Sequence, residues 1–103
     1  MCGPYIAGTF STGSNASTGG NTSDVCNIPT AKTSMLLTLT GCDASNTLKS
    51  QRRTTPGGAW VDQTTYSSNQ SATPITVAGE QEWRLITIAQ QAIREIRYVL
   101  DAQ

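Results

Sequence analysis

From residue 34 onward, apolar side chains keep returning at every second position in short runs, and the runs are separated by Gly, Pro or Asn. A period of two marks a strand with one buried face, because successive Cβ atoms of an extended chain point to opposite sides. SMLLTLTG (34–41) mixes Leu36, Leu37 and Leu39 with Thr38 and Thr40 and ends on a glycine. TLKSQRR (47–53) runs toward Pro56-Gly57-Gly58, and AWVDQTTY (59–66) returns from it. Proline presets φ and glycine accepts positive φ, so these two segments read as a hairpin whose corner delivers Trp60 to the core. TPITVAG (73–79) sets Ile75 and Val77 on one face. EWRLITIAQ (82–90) alternates with either Trp83, Leu85 and Thr87 or Arg84, Ile86 and Ile88 turned inward. Strands at this spacing predict an all-β chain, a small antiparallel sandwich or a barrel.

The two ends of the chain read less simply. STGSNASTGGNTSD (11–24) has no large apolar side chain with which to offset the entropy of ordering, so it reads as an arm or a long loop. Ahead of it, Tyr5, Ile6 and Phe10 form an apolar cluster that docks either on the protein's own core, as a first strand, or on a partner. Residues 1–33 are therefore expected to be an extended N-terminal arm that can contribute one strand, and residues 34–103 the sandwich domain. In AQQAIREIRYVLDAQ (89–103), Ala89, Ile93, Ile96 and Leu100 recur at helical spacing, while Arg94, Ile96, Tyr98 and Leu100 share one face of a strand. Helix and strand both remain open there on local signals.

With 103 residues the chain has room for one core. Seven basic residues balance seven acidic ones, which argues against nucleic-acid binding, and no apolar run approaches the ~20 residues of a spanning helix. MCGPYIAGTF lacks the basic and apolar regions of a secretory signal, so maturation in the cytoplasm is expected. Cys2, Cys26 and Cys42 are odd in number and lack C-x-x-C spacing, which reads as free thiols rather than a zinc site or disulfides. The chain contains no histidine, the usual general base and commonest metal ligand. The expectation is therefore no enzyme, no metal and no cofactor. Glu80 and Glu82, with Asp62 nearby, read as a solvated edge or as partners for arginine rather than a glycosidase pair. Trp60, Trp83, Tyr66 and Tyr98 are read first as core, with Trp60, Trp83 and Tyr98 its large members, and second as a stacking platform for a glycan. Arg52, Arg53 and Arg84, with Arg94 and Arg97, either flank strands as solvated charges or pair with acidic groups on a partner.

LKSQRRTTPGGAWVDQTTY, then GEQEWRLITIA, then IREIRYVLDAQ follow a recurring pattern, "LQRSFDGGxTWV", "Y", a Glu followed by "YRL", and a final "VxYRL" strand. On these segments residues 34–103 resemble the small β-sandwich domains of structural proteins of tailed bacteriophages, the head-decoration and head-fibre proteins. The resemblance implies a jelly-roll-like sandwich, a last strand rather than a last helix, and residence in the virion after assembly in the host cytoplasm. It further implies that the chain is a capsid decoration, or cement, protein that binds the major capsid protein and other copies of itself. Tyr5, Ile6, Phe10, Arg52, Arg53 and Arg84 are then the candidate partner-binding residues. The alternatives are a head fibre, a tail component or a connector subunit, and a carbohydrate-binding module. The turn also resembles the Asp-box of sialidases, with Gly57 and Trp60 in register, but Arg53, Thr55 and Ala59 replace its Ser, Asp and Thr, and one copy cannot build a propeller.

Overall fold

The computed structural model describes residues 5–11, 20–54, 57–78, 81–90 and 95–103. Eight strands form in chain order: β1 (Tyr5–Ser11), β2 (Cys26–Asn27), β3 (Ser34–Thr40), β4 (Thr47–Arg53), β5 (Val61–Tyr66), β6 (Gln70–Thr76), β7 (Glu82–Ala89) and β8 (Glu95–Ala102). They make two four-stranded antiparallel sheets, ordered β1-β8-β3-β6 and β2-β7-β4-β5. The chain is all-β among the described residues, and the sheets face each other in a sandwich-like arrangement.

The pairing is nested. The first strand pairs with the last, the second with the seventh, the third with the sixth and the fourth with the fifth. Two lateral pairings, β3 with β8 and β4 with β7, then join these ribbons into the two sheets. Strand alternation dictates which side chains meet between the sheets. Met35, Leu37 and Leu39 come from β3, Leu48 from β4, Trp83 and Leu85 from β7, and Ile96, Tyr98 and Leu100 from β8, all buried in one apolar cluster.

The N-terminal segment joins this core. Tyr5–Ser11 pairs with Glu95–Asp101 without a break in register, and Ile6 and Phe10 are each only 5% exposed. This corrects the expectation that Ile6 and Phe10 bind a partner: in an extended strand, the alternation that exposes Tyr5 turns them inward. Residues 20–28 are likewise bonded along β7, through Gly20 N to Thr87 O at 2.6 Å, Ser23 N to Leu85 O at 2.9 Å and Ile28 N to Gln81 O at 2.9 Å. The described parts of residues 1–33 are therefore strand and strand-flanking backbone. Much of the polar stretch, residues 12–19, lies outside the described residues.

Of the two readings of the C-terminal stretch, the strand holds for Glu95–Ala102, while Ile93 and Arg94 lie outside the described residues. β8 has hydrogen-bonded neighbours on both sides, and that tertiary pairing outweighs the modest helix preference of its residues. Two glycines fit the chain around it. Gly8 lies opposite Tyr98, where an added Cβ would meet the phenol oxygen at 2.6 Å. Gly41, just after β3, has φ near +90°, and a Cβ there would run into the Glu95 carbonyl. Gly41→Ala should accordingly destabilise the fold by about 1–3 kcal/mol, the cost of a strained backbone, or by more if the start of β8 has to move. Thermal denaturation followed by circular dichroism measures it, and an unchanged midpoint would contradict this geometry.

Candidate functional site

The outer face of the sheet β2-β7-β4-β5 carries the densest group of interacting charges among the described residues. Its layout follows from register. Gln51 on β4 lies between Asp62 on β5 and Arg84 on β7, and Arg53 lies opposite Glu82. A register shift between Ser50 and Gln51 leaves Gln63 without a counterpart on β4, a bulge of the kind that re-aims side chains near a strand end. Trp60 immediately precedes β5 and brings its indole over this face.

Two guanidinium groups meet that indole. Arg53 Cζ is 4.4 Å from the ring centroid and Arg84 Cζ 4.3 Å, both within cation–π range. Arg53 donates through Nε to Glu82 Oε1 at 2.5 Å, an ion pair whose side chains are about four-fifths buried. Its Nη1 also reaches the Gly58 carbonyl at 3.5 Å, which links the hairpin corner to β4. Arg84 donates through Nε to Gln51 Oε1 at 2.9 Å. Gln51 in turn donates through Nε2 to Asp62 Oδ1 at 2.8 Å, and Lys49 Nζ pairs with Asp62 Oδ2 at 2.9 Å. The result is a connected row, Glu82, Arg53, Trp60, Arg84, Gln51, Asp62 and Lys49, with three cations against two carboxylates.

The charges are not equally compensated. Glu82 neutralises Arg53 and Asp62 neutralises Lys49, whereas Arg84 has no carboxylate partner among the described residues. Burial, and then the neighbouring Arg53 charge, lower the Arg84 pKa from its ordinary value. The Asp62 carboxyl is held below its ordinary value, first by the hydrogen bond from Gln51 and then by Lys49. Such a surface can fix and recognise a charge. Among the described residues no group of three or more His, Cys, Asp or Glu could hold a metal ion. Cys26 and Cys42 are buried thiols, and burial followed by the Asp43 charge raises the Cys42 pKa, away from reactive thiolate character.

Of the candidate partner-binding residues, the structure brings together Arg53 and Arg84 and separates the rest. Arg52 lies on the opposite face of β4, across from Trp83, and Tyr5 is 56% exposed on the other sheet. Of the three large aromatic residues expected in the core, Trp83 and Tyr98 are buried. Trp60 is the correction: β5 begins at Val61, two residues after the start of AWVDQTTY, and because Val61 pairs with Arg52 the residue before it turns to the Arg53 side, half-buried over the polar face. Sequence reasoning missed Gln51, the side chain that joins the two halves of the row. Its one legible signal is its place two residues before Arg53, on the same face. Glu80, Thr55 and Pro56 lie outside the described residues. No family model matches the chain, and neither does any curated protein or solved structure.

The two tryptophans should respond differently to truncation. Trp83→Ala removes a core side chain and should cost about 3–5 kcal/mol, while Trp60→Ala loses chiefly its contacts with the two guanidinium groups, about 1–2 kcal/mol. Chemical denaturation of both variants checks the order, and equal losses would return Trp60 to the core. Asp62 offers a second check. Because its folded pKa is depressed, its contribution to stability is present above the unfolded value and is lost as pH falls through the folded one. In a carbon-detected NMR titration Asp62 should titrate below the ordinary aspartate range in the native chain, and its midpoint should rise in Gln51→Ala.

Proposed function

We propose that the chain is a structural protein of a tailed-bacteriophage virion, a capsid decoration protein that docks on the major capsid protein and on other copies of itself and stabilises the head. The observation that carries this reading is the nested strand pairing. We read pairs 1–8, 2–7, 3–6 and 4–5, arranged in the orders β1-β8-β3-β6 and β2-β7-β4-β5, as the pairing of an eight-stranded jelly roll, an arrangement used by viral capsid and lectin domains. Further support comes from where the family-like segments fall. LKSQRRTTPGGAWVDQTTY spans β4, the corner and β5, EWRLITIA is β7, and EIRYVLDA is β8.

A fold alone does not choose between capsid and lectin, so the choice rests on the site. A sugar-binding platform presents a bare aromatic face, whereas the Trp60 ring is engaged by two guanidinium groups. In this reading the protein acts by binding and burial repeated over many copies, not by catalysis. A head fibre, a tail component or a connector subunit would use the same domain at another position in the particle.

Mass spectrometry of gradient-purified particles from the source that encodes the chain tests the proposal. The expected result is the protein in the head fraction at a copy number comparable to the capsid subunit, and heads lacking it that lose their genome at lower temperature until the purified protein is added back. Recovery in tail fractions would move it to the runner-up position. Absence from particles, together with binding on a glycan array, would replace this reading with the carbohydrate-binding one.

A further inference from the structure

Arg84 has properties that the packing of this domain does not require. It is a guanidinium pinned at Nε by Gln51, set against the Trp60 indole, and without a carboxylate partner among the described residues, beside an arginine that has one. Nothing among the described residues accepts a hydrogen bond from its terminal nitrogens, and neither nitrogen is a sealed, unsatisfied donor. Arginine presents those nitrogens as a planar fork matched to a carboxylate. Holding Nε and the ring plane in place removes much of the rotamer freedom that otherwise weakens an exposed ion pair.

We propose that Arg84, held by Trp60 and Gln51, is a receptor for one acidic side chain, Asp or Glu, of a partner protein. The charge pattern chooses the class of occupant. Glu82 and Asp62 flank the arginine pair on the same face. A single carboxylate settles on Arg84 between them, whereas a phosphate chain tracking across the face would meet both negative groups. The neighbouring surface also suits a protein. Ile88, 46% exposed, shares the outward phase of β7 with Arg84. Arginine and tryptophan beside exposed aliphatic area are the side chains that dominate the centres of protein interfaces. This inference rests on the side-chain geometry alone and holds whether or not the protein belongs to a virion.

The test uses the full chain labelled with nitrogen-15, following the Arg84 Nε and Trp60 indole signals during titration with the peptide acetyl-Glu-Leu-Glu-amide. Its neutral counterpart acetyl-Gln-Leu-Gln-amide, inorganic phosphate and a short single-stranded oligonucleotide serve as comparators. The acidic peptide should shift both signals and saturate with a dissociation constant on the order of 1–10 mM, the weak end expected for one charge-assisted contact. It should bind roughly tenfold more tightly than the neutral peptide. Arg84→Gln should abolish the saturable shift of the Trp60 indole, and Arg84→Lys, which keeps the charge but not the fork, should retain part of it. A thermal midpoint measured on each variant establishes that it is folded. Saturation that survives in folded Arg84→Gln, or no shift with the acidic peptide, overturns the proposal. A stronger response to phosphate or to the oligonucleotide overturns it in favour of a phosphate site.

Discussion

The pairing of β1 with β8 is the interaction on which the rest of this structure depends. β8 is an interior strand only because Tyr5–Ser11 lies on one side of it and Ser34–Thr40 on the other. Its inward residues Ile96, Tyr98 and Leu100 sit in the middle of the core cluster. Tyr98 has space because Gly8 lies opposite it, and its ring packs on Phe10 with centroids 5.0 Å apart. The buried Gln90, just after β7, donates to the Phe10 carbonyl at 2.7 Å and so ties the first strand to the end of β7 in the other sheet. These contacts join residues 80 or more positions apart. The entropy of closing so long a loop must be met before any of them forms, which places the chain among slowly folding, high-contact-order proteins.

The polar face of β4, β5 and β7 is a consequence of the same nested arrangement. β4 and β7 come together only when the outer ribbon is folded over the inner one, and their register then places Gln51 across from Arg84 and Arg53 across from Glu82. The bulge between β4 and β5 sets Asp62 beside Gln51, and the hairpin corner returns Trp60 over both arginines. A polar row whose Arg84 has no carboxylate partner among the described residues is thus held on strands, with Trp60 added from the corner. That placement fixes a charge in position.

Much of the fold was legible from alternation. The runs at 34–40, 47–53 and 82–89 became β3, β4 and β7, and burial chose Trp83, Leu85 and Thr87 as the inward set of β7. β6 came three residues earlier than TPITVAG implied, since Gln70 to Ala72 extend the pairing with β3 through an irregular stretch in which Ala72 takes φ of 49°. β2, only two residues long, had no periodic signal at all; it exists because β7 offers it backbone partners. β1 was visible in the alternation of Ile6, Gly8 and Phe10 but could not be distinguished from a docking segment, because its partner lies at the far end of the chain. For the site, the arginines were visible as charges and the tryptophan as a large ring. Their union was not, because it depends on cross-strand register and on where the corner ends, neither of which leaves a mark in composition.

Removing residues 1–11 and measuring the unfolding of the remaining chain tests the central claim most directly. The truncation takes out Ile6 and Phe10 and turns β8 into an edge strand. The account predicts the loss of a cooperative thermal transition, with exposure of apolar surface read by dye binding. A truncated chain that melts cooperatively at the native midpoint would contradict it, since β1 would then be an appendage and not the strand that closes the core.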